Sequence, residues 1–537
     1  MKEILYIQAG TQANYIGTHF WNTQESYFTY DAEEEEDPSS SGGHSTVNHS
    51  LSFREGLNQK NEPTFCPRLL AFDHKAQFGT LNQDNALFGM DAHTDEQILW
   101  SENPIEYKQQ LVTKSRYQID LEASDVDAGH EASAVQLEDI RYWSDFNRVY
   151  YVPRTIQKVP DPPQWDGGGS GGWNAGQDMF TRYNEETGLM EGPLRLFLEE
   201  CDTIQGIQLM HDTMTFGSFV DALLTAVRDD FAKLPLLSWP LLSDTAPSKL
   251  TDNGLGVRKV INDALALRSL SEMSLMTVPI WSPATWTDQV CRNPYIQAST
   301  AHTYHTSAIL SAHIESVTLP LRLKSTTDDI SSLSAQLSWK TAVPFAELSG
   351  VFPHASAPEL DRRIYNFSSY TTSISQSTLF SRRDVTRGLS PSDITSYNEW
   401  RNTFGFDEPA ASRYVLGAAS IHPTHAAAYP LPTSFPAFFS SPEAQAGSGP
   451  PEVLSRPRST TVFSSLGATS GASGFFSGYA KFLEDGLRRR ISPEKTGIEL
   501  EELGDLVNDL WTLHDNAGGD GDGDGLDSGS DVHGEDE

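Results

Sequence analysis

The apolar run EILYIQ at 3–8 lacks the alternation of a half-exposed strand and predicts a buried parallel strand. A glycine turn leads into a stretch where Ile16, Phe20 and Tyr27 recur at spacings of four and seven, which predicts an amphipathic helix with one buried face. PRLLAFD at 67–73 predicts a second strand ending in an aspartate. GPLRLFLEECDTIQGIQLMHD at 192–212 predicts a helix, a turn at Gly206 and a strand, and DALLTAVRDDFAKL at 221–234 predicts a helix with Leu224, Val227 and Phe231 on one face. Alternating strands and helices argue for a parallel α/β sheet, whose ligands sit at the carboxyl ends of the strands. Helical periodicity returns in GYAKFLEDGLRRRI at 478–491 and in LEELGDLVNDLWTLHD at 500–515. In the second, Leu503, Val507, Leu510 and Leu513 line one face, expected to dock on its own domain, with partner binding as the alternative.

Between these elements lie polar segments. Residues 31–62 read as an acidic loop, 155–178 as a linker rich in proline and glycine, and 422–452 as a Pro, Ala and Ser-rich linker or lid. A chain of 537 residues is expected to form about two or three domains. The net charge of −35 is concentrated in DAEEEED at 31–37 and in the tail 515–537, which holds nine Asp or Glu and no Lys or Arg. Such runs are solvated and repel phosphate backbones, so direct nucleic-acid binding is disfavoured. Cys66, Cys201 and Cys291 are widely spaced and odd in number, which fits a reduced intracellular chain. The longest apolar candidate, LPLLSWPLL at 234–242, is nine residues with two prolines, well short of the about 18 of a membrane span. The first 25 residues hold one Lys and no Arg, so neither a secretory signal nor an Arg-rich presequence is expected.

Several chemical candidates fail on context. GGGSGG at 167–172 imitates a nucleophile elbow at Ser170, yet PDPPQWD precedes it instead of an apolar strand, so it reads as linker. His302, His305 and His313 have no Cys or carboxylate at zinc spacing. DGDGDGLDSGSD at 520–531 has the outline of a calcium loop, but Asp527 stands where an apolar residue belongs. Glu200 and Asp202 read as helix-surface or capping groups, and the basic RRR at 488–490 as a solvated helix end.

QAGTQANYIG at 8–17 resembles the opening of tubulins, and ECDTIQGIQLMH at 200–211, SWPLLSDT at 238–245, HTSAILSAHIESVTLPLR at 305–322 and TAVPFAELSGVFPHASAP at 341–358 resemble later tubulin segments in the same order. RYWSDFNRVYYVPRTI at 141–156 has no tubulin counterpart and resembles the signature of the Misato family, tubulin-related proteins linked to mitochondrial distribution and mitochondrial DNA inheritance, here in its fungal branch. The resemblance implies a tubulin-like α/β fold: a Rossmann-type parallel-sheet N-terminal domain at 1–275, with insertions at about 31–62 and 90–180, and a smaller α+β middle domain at 276–420. A low-complexity linker at 421–475, C-terminal helices at 476–514 and a disordered acidic tail at 515–537 complete the expected layout.

The resemblance also implies a nucleotide pocket drawing on Gly10, Thr11, Gln12, Asn14, Asp73, Gly217 and Ser218. Thr11 and Ala13 stand where tubulins carry Gln and Gly, and DTMTFGSF at 212–219 replaces the glycine loop GGGTGSG. Met214 and Phe216 put bulk where backbone should wrap phosphates, and HKAQ follows Asp73 instead of a Pro-Gly turn. His305 and Ser307 replace the Asp and Asn of a loop that in the family completes a neighbouring subunit's site. The pocket is therefore expected to be vestigial, with no catalytic residue, metal or required cofactor and with residual GTP or GDP binding left open. The implied function is a noncatalytic factor for mitochondrial partitioning and mitochondrial DNA inheritance, placed at the cytosolic face of the mitochondrion and in the cytoplasm. Its expected partners are proteins: tubulin, chaperonin or a mitochondrial surface receptor. The alternatives are a tubulin-binding cytoskeletal or chaperonin-assisted assembly factor and, less fittingly, an active polymerising GTPase.

Overall fold

The computed structural model describes residues 2–28, 45–57, 63–82, 112–126, 135–161, 172–247, 254–286, 290, 296–338, 343–353, 363–368, 378–402, 419–439, 457–489 and 496–518. The acidic run at 31–37, most of the glycine loop at 167–172, the calcium-loop outline at 520–531 and the tail beyond 518 lie outside the described residues.

From β1 (Glu3–Ala9) the chain enters α1 (Thr11–Glu25), forms a hairpin of β2 (Phe53–Leu57) and β3 (Pro63–Pro67), and returns as β4 (Leu69–His74). After α2 (Arg116–Val126) come β5 (Ile156–Val159), α3 (Trp173–Thr187), α4 (Arg195–Glu199), β6 (Ile204–Asp212), α5 (Thr213–Asp230), β7 (Leu236–Leu241), α6 (Gly254–Met273) and β8 (Met276–Thr277). Six of these strands form a parallel sheet in the order β5-β4-β1-β6-β7-β8. Every residue of β1 is buried, as a parallel strand covered on both faces requires. Leu5, Ile7 and Leu209 face a layer containing Phe219 and Leu223 of α5, while Ile4 and Tyr6 pack under Phe20 and Trp21 of α1. The chain moves outward from β1 to β5 in one direction and from β6 to β8 in the other. The switch point therefore falls between β1 and β6, where open α/β sheets form their ligand crevice.

The second part contains α7 (Thr303–Thr318), α8 (Ile330–Leu337), β9 (Glu347–Val351), β10 (Tyr365–Asn366), β11 (Leu379–Arg387), α9 (Pro391–Asn402), β12 (Ser420–Ala426), β13 (Tyr429–Pro430), β14 (Ser459–Thr460), β15 (Val462–Thr469), α10 (Gly471–Arg488) and α11 (Leu500–Ala517). Its five-stranded sheet has the order β10-β9-β15-β11-β12. α7 packs against α1 on one side and β15 and β11 on the other. Its Glu315, fully buried, accepts from Arg322 Nη2 at 3.2 Å, Arg387 Nη1 at 2.7 Å, Tyr27 hydroxyl at 2.9 Å and Gln24 Nε2 at 3.1 Å. This network ties α1 and α7 to the second sheet.

Several expectations need correction. The linker expected at 155–178 contributes β5 to the edge of the parallel sheet, and α3 starts within it at Trp173. The loop expected at 31–62 contains β2. The linker expected at 421–475 contains β13, β14, nearly all of β12 and, in β15, a fully buried central strand; the sheet of the middle domain is thus completed from beyond residue 420. Gly206 is not a turn but lies inside β6, where a Cβ would come 2.4 Å from the Pro235 carbonyl oxygen. α5 starts at Thr213, eight residues before the predicted Asp221, and Phe231 lies past its end, exposed. α11 runs through residue 515 to the buried Ala517, so the tail's first residues are helical.

α1 is not amphipathic in its surroundings: Ala13–Gln24 are all buried. Most of its polar side chains are consequently paired. Asn22 Nδ2 donates to the Phe146 carbonyl and to Ser434 Oγ, both at 2.9 Å, and Thr23 Oγ1 lies 2.8 Å from Tyr429 hydroxyl. α11 buries Leu503, Val507 and Leu510 against α10 and α6. Among the described residues no helix is long and apolar enough to cross a membrane.

Candidate functional site

The site is the crevice at the carboxyl ends of β1, β4 and β6. β1 leads into Gly10, whose φ of 108° suits glycine, and α1 begins at the next residue. The first amides of a helix have no partner within it, and together with the helix dipole they attract an anion. Here that anion is a side chain of the same chain. Asp212, the last residue of β6, accepts from Gln12 N through Oδ2 at 3.0 Å and from Ala13 N through Oδ1 at 2.9 Å. A Cβ on Gly10 would come 2.5 Å from the Asp212 carboxyl carbon, so glycine gives the space as well as the backbone angle.

A second carboxylate stands beside it. Asp73, fully buried at the end of β4, accepts from Thr11 Oγ1 at 3.1 Å, Asn14 Nδ2 at 3.2 Å, its neighbour His74 N at 2.9 Å and Trp143 Nε1 at 3.1 Å. Asn14 Nδ2 also donates to the Phe72 carbonyl at 2.8 Å. Burial raises the Asp73 carboxyl above the ordinary range, and the bonds from Asn14, His74 N and Thr11 pull the other way. Burial, reinforced by the charge of Asp73, pushes Asp212 up to about 7 against the two amide bonds.

Trp143 arrives from the segment RYWSDF, whose 3₁₀ turn is held by Asp145 accepting from Arg141 N at 2.8 Å and Tyr142 N at 2.9 Å. The next aromatic, Phe146, fills the space between α1 and α7: its ring centroid lies 4.6 Å from His19, 4.9 Å from Tyr304 and 5.7 Å from Tyr15. Arg148 then clamps α1, with its amide donating to Asn22 Oδ1 at 2.9 Å and Nε to Glu25 at 3.0 Å.

A third buried carboxylate, Asp263 on α6, fixes the adjoining loops. It accepts from Thr213 hydroxyl, the residue after Asp212, and from Ser243 N and hydroxyl in the loop after β7. Burial pushes it up to about 7 against these donors.

The structure brings together Gly10, Thr11, Gln12, Asn14 and Asp73. It places Gly217 and Ser218 elsewhere, inside α5 and facing α3: a Cβ on Gly217 would touch Trp173 at 3.3 Å, and one on Gly176 would collide with Ser218 Oγ. Phe216 is buried with its ring 5.1 Å from His74. His305 Nδ1 accepts from Ser299 N at 3.2 Å, whereas His313 Nδ1 lies 2.8 Å from Ser464 Oγ. Among the described residues no group of His, Cys, Asp and Glu is arranged to hold a metal. Asp212, Asp263 and the role of Trp143 escaped sequence reasoning. An aspartate at a strand-to-helix junction was the available signal, but such a residue is ordinarily read as the cap of the helix it precedes. Chemically, the arrangement presents carboxylate acceptors where a phosphate needs donors.

Comparison with known proteins shows what the chain is similar to. Residues 2–123 match the family model described as the Misato Segment II tubulin-like domain, and residues 132–323 match the tubulin domain. Protein dml1 of Aspergillus oryzae is 35% identical over 345 residues, covering 62% of this chain and 64% of that protein. Protein DML1 of Gibberella zeae is 33% identical, with 60% and 61% covered, and Protein misato of Drosophila melanogaster is 30% identical, with 61% of each covered. The matched stretch thus spans less than two thirds of the length of these relatives. The chain thus carries a Misato segment followed by a tubulin domain on a six-stranded parallel sheet, and its relatives are proteins named dml1 and misato.

Proposed function

We propose that this protein is a noncatalytic tubulin-related factor that acts in mitochondrial partitioning and mitochondrial DNA inheritance through protein partners. The observation that carries the noncatalytic half is the pair of bonds from Gln12 N and Ala13 N to Asp212. A phosphate entering there must displace a tethered carboxylate and pass Asp73, and both repel it. The mitochondrial half rests on the resemblance of the 141–156 segment to the Misato signature. No cofactor is required for the proposed role. A net charge of −35 is repelled by anionic lipid, which favours attachment to the cytosolic face of the mitochondrion through a protein receptor, in exchange with a cytoplasmic pool.

Depleting the protein is expected to disturb mitochondrial distribution and mitochondrial DNA transmission. Protease added to intact mitochondria is expected to digest the bound protein. Normal inheritance after depletion, or protection until the outer membrane is ruptured, contradicts the proposal. The tubulin-domain match at 132–323 favours a second reading, an assembly factor that binds tubulin or chaperonin. Recovery of either from cell extract on the tagged protein, with mitochondrial inheritance intact after depletion, selects that reading.

A further inference from the structure

At the end of the parallel sheet opposite Asp73 and Asp212, three arginines from separate segments converge on Glu200. Arg54 lies on β2, Arg68 between β3 and β4, and Arg154 in the turn before β5. Arg54 Nε is 3.2 Å from Glu200 Oε2, and Arg154 Nη2 donates to the same oxygen. Arg68 Nη1 donates to the Glu200 main-chain oxygen at 3.4 Å and lies 3.8 Å from Cys201 Sγ. Arg68 is only 7% exposed, yet its Nε has no acceptor among the described residues, and neither has the buried Nε of Arg154.

The other nearby carboxylates leave this demand unmet. Glu3 accepts from Thr203 N at 3.1 Å, and Asp202 is exposed. Burial pushes the Cys66 thiol up, and Arg54 and Arg154 pull it down without reversing that shift. Arg54 and Arg154 share one oxygen of the Glu200 carboxylate and Arg68 reaches only its main-chain oxygen, so the three guanidiniums carry more directed N–H groups than this residue accepts. A tetrahedral phosphate dianion supplies both the extra acceptors and the extra charge.

We infer that Arg54, Arg68 and Arg154 form a binding site for a phosphate monoester, with Glu200 as the resident acceptor that the phosphate displaces. Glu200 stands at the end of the short α4 with its side chain 23% exposed, so it can swing into water without disturbing the sheet. The site is separate from the α1 crevice and does not depend on how that crevice behaves.

The test is a titration of the full chain with inorganic phosphate, followed by calorimetry and by melting temperature, against chloride at equal ionic strength. A saturable phosphate response absent in chloride is expected. It is lost in Arg154→Gln and in Arg54→Gln, whose side chain is 43% exposed, and becomes several-fold tighter in Glu200→Gln. Circular dichroism verifies that each variant is folded, and Asp212→Asn keeps the response. Tighter binding of a phosphoserine peptide than of inorganic phosphate identifies a protein-borne monoester; the reverse order overturns the assignment to a monoester. An equal response in chloride, no saturable response, or an undiminished response in folded Arg54→Gln and Arg154→Gln variants overturns the inference.

Discussion

Asp212 reaches back across 199 residues to accept a 2.9 Å bond from the amide of Ala13, so the end of β6 caps the helix that follows β1. The bond crosses the switch point of the parallel sheet, filling the ligand crevice with the chain's own acid. Asp212→Ala leaves two first-turn amides without an acceptor. It is expected to lower the unfolding free energy by about 0.5–2 kcal/mol, the range of a lost helix cap. Asp212→Asn keeps an acceptor oxygen and is expected to cost less. Urea unfolding of the three proteins measures both.

Asp263 gives the stability a pH dependence of definite sign. Its carboxyl is held at about 7 in the folded chain against an ordinary 3.8, so the folded state prefers the protonated form. Its contribution is fully present below about pH 3.8 and is lost as the pH rises through about 7. Asp212 acts in the same direction. Asp263→Asn is therefore expected to flatten the decline in melting temperature between about pH 3.8 and 7, which thermal melts across a buffer series record.

Trp143→Phe keeps the ring in the core but removes the indole N–H that donates to Asp73 at 3.1 Å. With three donors left on that carboxylate, the expected loss is about 1–3 kcal/mol in urea unfolding, without collapse of the fold.

Glu315→Gln leaves Arg322 and Arg387 buried at 0% and 1% exposure without their shared counter-charge. Breaking a buried pair from one side costs about 3–5 kcal/mol, so this variant is expected to be the least stable of those named, again by urea unfolding.

The regular parts of the fold were legible because their burial is one-sided or complete. β1 and β4 read as apolar runs, and the α11 stripe of Leu503, Val507 and Leu510 as a docking face. β15 was not legible. Its VFSSLGAT is poor in large apolar residues, yet all eight residues are buried because small side chains let it pass between β9 and β11 beneath α7. The polar residues of α1 lie off the predicted buried stripe, yet Tyr304, Phe146, Ser434, Tyr429 and Glu315 pair with them. Gly10, Thr11, Gln12, Asn14 and Asp73 were found from the tubulin-like opening and the strand-end acid. Asp212 was missed because its partners are Gln12 and Ala13 rather than the first amides of its own α5.

The most direct test of the central claim is GTP turnover by the purified full chain. Phosphate release is followed over a range of GTP concentrations beside a buffer control and a Gly10→Trp variant. The account predicts release no faster than buffer at every concentration. Saturable turnover that disappears in Gly10→Trp contradicts it, because the amides of Gln12 and Ala13 would then be serving a nucleotide instead of Asp212.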